Sequence, residues 1–167
     1  VFKECVYSFY KEVSGEKVEL KNNFVVQRGA YVIAAVLDES ISSKPVQIKG
    51  LYIDLFDKDL PVLTSKQIQP GEQGYLYDLN KVSGKVKAKV LCGASRIYDE
   101  KVGKQSYSFV AKSPINTTNV SRVLLPCKPE KVQVNGKEEQ PKWDESSKTL
   151  LLSFENDPAG VNVSIVW

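Results

Sequence analysis

Three aspartates fall close together in Ile53-Asp54-Leu55-Phe56-Asp57-Lys58-Asp59. The carboxylates of Asp54, Asp57 and Asp59 could gather around a structural Ca²⁺, a hard cation that prefers oxygen ligands. The spacing lacks the glycine and distal glutamate of an EF-hand loop, so the competing reading is a solvated turn closing a strand. Paired carboxylates could also hydrolyse a glycosidic bond, which needs two acids about 5–10 Å apart. The acids here fall where turns are expected: Asp38-Glu39, Asp99-Glu100, Glu138-Glu139 and Asp144-Glu145. None lies mid-strand among aromatics, where a carboxyl pKa would rise. Aromatic rings offer a third chemistry, since a flat ring can stack on the apolar face of a sugar. Tyr52, Tyr98 and Trp143 are the candidates for carbohydrate binding, and packing within the core or between strands is the competing reading.

The chain has no His, which removes Ser-His-Asp and Cys-His nucleophilic machinery and His-ligated zinc. No catalytic residue is assigned, and the chain is expected not to be an enzyme by itself. It also has no Met, so a processed or excised piece of a larger protein is expected. Cys5, Cys92 and Cys127 form an odd set with no metal-motif spacing. Each shares parity with apolar neighbours, so buried free thiols are expected, with one disulfide plus a spare thiol as the alternative.

These groups must be positioned by a chain of 167 residues, long enough for one domain with its own core. At 42% hydrophobic and 26% charged it is not a disordered sequence. A net charge of +3, with basic residues scattered among acids, gives no footprint for nucleic acid. The longest apolar run, Ala30 to Leu37, is far short of the ~20 residues that span a bilayer, so no membrane partner is expected.

Period-2 alternation recurs along the chain. Val161, Val163, Ile165 and Trp167 share one parity, with Asn162 and Ser164 on the other. Tyr107 and Phe109 alternate with serines. This is the pattern of half-buried antiparallel strands. Asn135-Gly136 between two such runs predicts a type I′ hairpin, whose two central residues both need positive φ. No window has a helical period, and residues 2–12 read as a strand. The expected fold is an all-β antiparallel sandwich, jelly-roll or Ig-like, of ten to twelve strands. One domain over 1–167 is expected; the alternative is two small units, 1–113 and 114–167, divided near Ser113–Asn119.

Two strands are apolar on both faces. In Ala30–Leu37, Tyr31 and Ile33 oppose Val32, Ala34 and Val36; in Leu51–Phe56, only Asp54 is polar. The second face must be covered, by the same domain or by a neighbour. Val32, Val36, Tyr52 and Phe56 are therefore candidate domain-docking residues.

The closing third of the chain carries a recognisable pattern. Ser121-Arg122-Val123-Leu124-Leu125-Pro126 precedes Lys128-Pro129-Glu130-Lys131-Val132-Gln133-Val134-Asn135-Gly136-Lys137, which is followed by Trp143-Asp144, by Thr149-Leu150 and by Val161-Asn162-Val163-Ser164-Ile165-Val166-Trp167. This resembles the C-terminal, non-catalytic β-sandwich accessory domains of bacterial glycoside hydrolases. The resemblance implies an accessory domain of a secreted, periplasmic or cell-surface carbohydrate-active protein. Its partner would be a catalytic domain of the same polypeptide, which it braces. The alternatives are a carbohydrate-binding module that holds polysaccharide itself and a small jelly-roll glycosidase or lyase.

Overall fold

The computed structural model describes residues 1–38, 42–82, 84 and 86–167. Glu39 of the Asp38-Glu39 pair lies outside the described residues. The described residues form fourteen strands, one α-helix and one 3₁₀ turn, so the chain is an all-β protein. No helix among them is long and apolar enough to cross a membrane.

The first element corrects the expectation of a strand over 2–12. Helix α1 spans Phe2–Ser14 and ends at Gly15, whose φ of 73° is the left-handed conformation that closes helices. Phe2, Val6, Phe9 and Val13 recur at steps of four, three and four, a helical stripe. Cys5, Tyr7 and Phe9 also alternate, and over so short a run the two periods compete. Glu4 in the first turn and Lys11 in the last suit the helix dipole. None of the helix residues is buried.

The first β unit is one five-stranded antiparallel sheet, ordered β1-β2-β5-β3-β4. Its strands are β1 (Asn23–Arg28), β2 (Tyr31–Val36), β3 (Val46–Asp54), β4 (Val62–Ile68) and β5 (Gln73–Asp78). A bulge between Lys49 and Tyr52 bends β3, so that its later residues pair with both β4 and β5. The sheet curls until β4 approaches β2 and β5 from its inner side. Gly74 allows that approach, because a Cβ there would lie 2.7 Å from Cδ1 of Ile68. Val32, Ala34, Val36, Tyr52, Ile68 and Leu76 fill the concave face. At about 1.5–3 kcal/mol for each fully buried aliphatic side chain, this small core carries much of the unit's stability.

The second unit is a sandwich that follows the 3₁₀ turn Leu79–Lys81. One sheet is ordered β11-β10-β14-β8-β7 and the other β12-β13-β9-β6. The strands are β6 (Lys89–Gly93), β7 (Arg96–Val102), β8 (Ser106–Lys112), β9 (Thr118–Leu124) and β10 (Lys131–Val134), then β11 (Lys137–Glu139), β12 (Lys142–Asp144), β13 (Thr149–Glu155) and β14 (Val161–Val166). Asn135 and Gly136 have φ of 49° and 78°, and Val134 pairs with Lys137. The expected hairpin is therefore present. Tyr107, Phe109, Val123, Leu150, Leu152 and Ile165 lead the core between the sheets, with Trp143 and Trp167 packed at its margin. β8 and β9 lie in opposing sheets of this one sandwich, so the sheets do not divide near residue 113. They divide between the 3₁₀ turn and β6.

The two units touch through a third apolar layer. Val120, Leu124 and Leu151 lie on the face of their sheet that points away from the sandwich core. They pack against Ile53, Leu55, Val62 and Tyr77 on the convex face of the first sheet. Arg122 crosses this layer, and its Nε donates to the Leu60 carbonyl at 2.8 Å.

Candidate functional site

A groove of about 860 Å³ lies where the two units meet. One wall comes from the first sheet and the loop after β3: Tyr31, Tyr75, Leu55, Phe56 and the segment Asp57–Leu60. The other comes from β6, β9 and β13 of the sandwich: Cys92, Gly93, Thr118, Val120 and Ser153 among others.

Strand register builds the first wall. Tyr31 stands opposite Tyr77, and Ile33 opposite Tyr75, so these side chains share the convex face. The Tyr31 and Tyr75 rings stack with centroids 5.7 Å apart and planes at 21°. Phe56 continues the row, 5.8 Å from Tyr75. Tyr77 meets Tyr31 edge-on at 5.3 Å and anchors the row to the buried layer. Such pairs add about 0.5–1.5 kcal/mol beyond burial, which favours this arrangement of the rings. Phe56 is nevertheless 63% exposed and Tyr31 41%.

The loop carrying Phe56 is pinned at several points. Asp54 Oδ1 accepts from the Phe56 amide, and the Asp54 amide donates to the Pro61 carbonyl. Asp57 accepts the Asp59 amide on its side chain and the Leu60 amide on its carbonyl. Leu60 turns the chain with φ of 45°. Its carbonyl is then fixed by Arg122 from the other unit.

Cys92 lines the opposite wall. Burial pushes its thiol up to about 11, against smaller opposing effects of the Arg122 amide and guanidinium. A thiol held protonated in this way is a poor nucleophile near neutrality. Burial lowers the pKa of Arg122, and the charges of Asp144 and Cys92 oppose that shift.

The residues singled out from sequence scatter. Asp54 is buried inside the curled sheet and pairs with Lys66, its Oδ2 2.6 Å from Nζ. Asp57 and Asp59 lie outside in the exposed loop, where Asp59 pairs with Lys58. The three carboxylates do not converge, because the β3 pleat sends Asp54 inward. Among the described residues no group of three metal-ligating side chains forms.

Tyr52, Tyr98 and Trp143 do not share a platform. Tyr52 is buried in the concave core of the first unit, and its hydroxyl donates to the Lys49 carbonyl. Tyr98 is on the edge strand β7, with Lys112 Nζ 5.5 Å from its ring. Trp143 packs against the sandwich core and donates through Nε1 to Glu145.

The docking set also needs correction. Val32, Val36 and Tyr52 are buried by their own sheet, whose curl covers that parity, while Phe56 is exposed. The uncovered face of the two-sided strand is the other parity. It carries Tyr31 and Ile33 and is extended across the β1–β2 pairing by Val26 and Phe24. The cysteine expectation changes as well: all three are free, but Cys5 and Cys127 are exposed and only Cys92 is partly buried.

Three of the paired acids, Asp144, Glu145 and Glu100, have structural duties. Burial works against the Asp144 carboxylate, but hydrogen bonds from Ser146 and Ser147, aided by the charge of Arg122, outweigh it and hold its pKa below the usual range. Glu145 accepts from Trp143 and Lys148. Glu100 accepts the Tyr107 hydroxyl proton at 2.7 Å.

Sequence reasoning missed Tyr31 and Tyr75 as site residues. A signal existed: Tyr75 and Tyr77 alternate with Leu76 and Asp78, which marks a second, aromatic face on that strand. No protein-family model and no curated protein sequence matches the chain.

Proposed function

We propose that the chain is a non-catalytic β module of a carbohydrate-active protein that acts in the periplasm, at the cell surface or outside the cell. It braces a catalytic domain of the same polypeptide, using α1 and the exposed Phe24, Val26 and Ile33 of the first sheet. The observation that carries this reading is α1. Its thirteen residues include none that is buried. Phe2, Phe9 and Val13 are among the most exposed apolar side chains of the protein. An isolated helix shorter than about 12–15 residues is marginal in water, and most helices gain their stability by packing an apolar stripe. Phe24, Val26 and Ile33 form a second uncovered apolar patch, the kind of surface that marks protein contacts. The carbohydrate assignment comes from the sequence pattern of residues 120–167.

Amide hydrogen exchange tests the reading. It compares the 167-residue chain with the natural-length polypeptide that its gene encodes. The expected result is rapid exchange in α1 of the chain alone and at least ~100-fold slower exchange in the natural-length protein. Equal exchange in both, or a gene that encodes no further domain, refutes bracing.

A further inference from the structure

We propose that the groove between the two units binds carbohydrate, seating a pyranose ring of an oligosaccharide against the Tyr31–Tyr75–Phe56 wall. The choice of ligand class rests on the carbohydrate-active reading above; the place and the residues rest on the geometry alone.

Three observations converge there. The first is the aromatic row, whose outer ring stays open to solvent despite its ordered packing. A ring face offers an apolar, polarisable surface suited to the C–H face of a sugar. The second is a set of polar groups at the edge of a groove whose floor also carries Leu55, Leu60 and Val120. Asp57 and Asp59 stand at one rim, and the Thr118 and Ser153 hydroxyls rise from the exposed outer face of the sandwich. An ionised carboxylate has about four acceptor sites, and each here uses only part of that capacity within the chain. Sugar hydroxyls, which both donate and accept, match such a rim better than a lipid or an apolar helix would. The volume, about 860 Å³, falls in the range typical of small-molecule sites.

The third observation is preorganisation. The Asp54–Pro61 loop is closed by its own amides and by Arg122 across the unit boundary, so Phe56 and Asp59 are placed before any ligand arrives. Ordering a loop on binding weakens affinity, and a loop already ordered avoids that loss. The groove is therefore distinct from the bracing surface. Ile33, Val26 and Phe24 lie beyond it on the same face, and α1 contributes nothing to its lining.

The test is titration of the 167-residue chain with cellohexaose, xylohexaose, mannohexaose and laminarihexaose, followed by calorimetry and by ring-proton NMR of Tyr31, Phe56 and Tyr75. At least one oligosaccharide is expected to shift these signals with a Kd in the micromolar to millimolar range. Phe56→Ala, at an exposed site, should weaken binding at least ~10-fold while the melting temperature falls by no more than about 6 °C. Asp59→Asn should weaken it about 3-fold or more. Phe9→Glu on α1 should leave it unchanged. The proposal is overturned if no oligosaccharide shifts the three rings, or if binding survives Phe56→Ala intact. It is also overturned if groove amides become protected in the natural-length protein without sugar, in which case bracing stands and the groove is part of that interface. Conversely, sugar binding together with equal α1 exchange in both lengths would sink bracing and keep the groove.

Discussion

Replacing Arg122 with Met should loosen the two units from each other. Arg122 is 4% exposed, in the layer between the units. Its Nε donates to the Leu60 carbonyl at 2.8 Å and its Nη1 to the Thr149 hydroxyl at 3.2 Å. Thr149 is bonded in turn to Ser147, which donates to Asp144, so the guanidinium closes a chain of polar groups. Met keeps most of the aliphatic stem, which limits the cavity. It leaves the Leu60 carbonyl buried without its donor. Hydrogen bonds to a charged group contribute roughly 1.5–3 kcal/mol each, and an orphaned buried acceptor costs about 1–3 kcal/mol. Against that stands the relief of a desolvated charge, whose burial is already visible in the lowered pKa of Arg122. The net expectation is a loss of about 2–3 kcal/mol. At about 2–4 °C per kcal/mol for a chain of this size, the melting temperature should fall by roughly 4–12 °C. Calorimetry should show the single transition broaden or split, with the first sheet unfolding earlier. Arg122→Lys keeps the charge but not the planar fork, and should recover less than half of the loss. An unchanged or raised melting temperature for Arg122→Met would mean that desolvation outweighs the hydrogen bonds, and the reasoning fails.

Other outcomes follow from single contacts. Tyr107 is fully buried, and its hydroxyl accepts from the Val90 amide at 3.1 Å while donating to Glu100. Tyr107→Phe should therefore destabilise by about 1–3 kcal/mol, read from urea unfolding. In alkali, the Cys92 thiol keeps its proton in the folded chain up to about 11, above the 9.0 of an unperturbed thiol. A raised acid pKa adds stability that is fully present below the unfolded value and is lost as pH rises through the folded one. The melting temperature should thus fall between about pH 9 and 11, and Cys92→Ala should flatten part of that fall, as melts across this range would show. Two thiols, Cys5 and Cys127, should react quickly with a disulfide reagent in the folded protein, and the partly buried, protonated Cys92 at least ~10-fold more slowly. Three equivalents reacting at one rate would contradict the placement of Cys92.

The all-β class and the hairpin at Asn135-Gly136 were legible because they depend on local chemistry. Alternation of Val161, Val163 and Ile165 needs only a pleated strand with one wet face, and positive φ at two adjacent residues needs only Asn and Gly. Helix α1 was not legible, because its thirteen residues satisfy a period of two nearly as well as one of 3.6. Which face of Tyr31–Val36 is inside could not be read either, since both parities are apolar. The curl of the first sheet decides it by bringing Ile68 over Ala34 and Val36.

The candidate site depended on tertiary structure almost entirely. Sequence singled out Phe56 as a docking residue of a two-sided strand, and Asp57 and Asp59, with Asp54, as a possible calcium cluster. It could not join them to Tyr31 and Tyr75, or to Thr118 and Ser153, which come from strands of two different units. A local pattern reports what a residue does to its own backbone and its nearest faces. The groove exists because one sheet of the sandwich carries apolar residues on part of its outer face as well, and packs a third layer against them. That choice is set by the total apolar surface needing cover, which no single strand records.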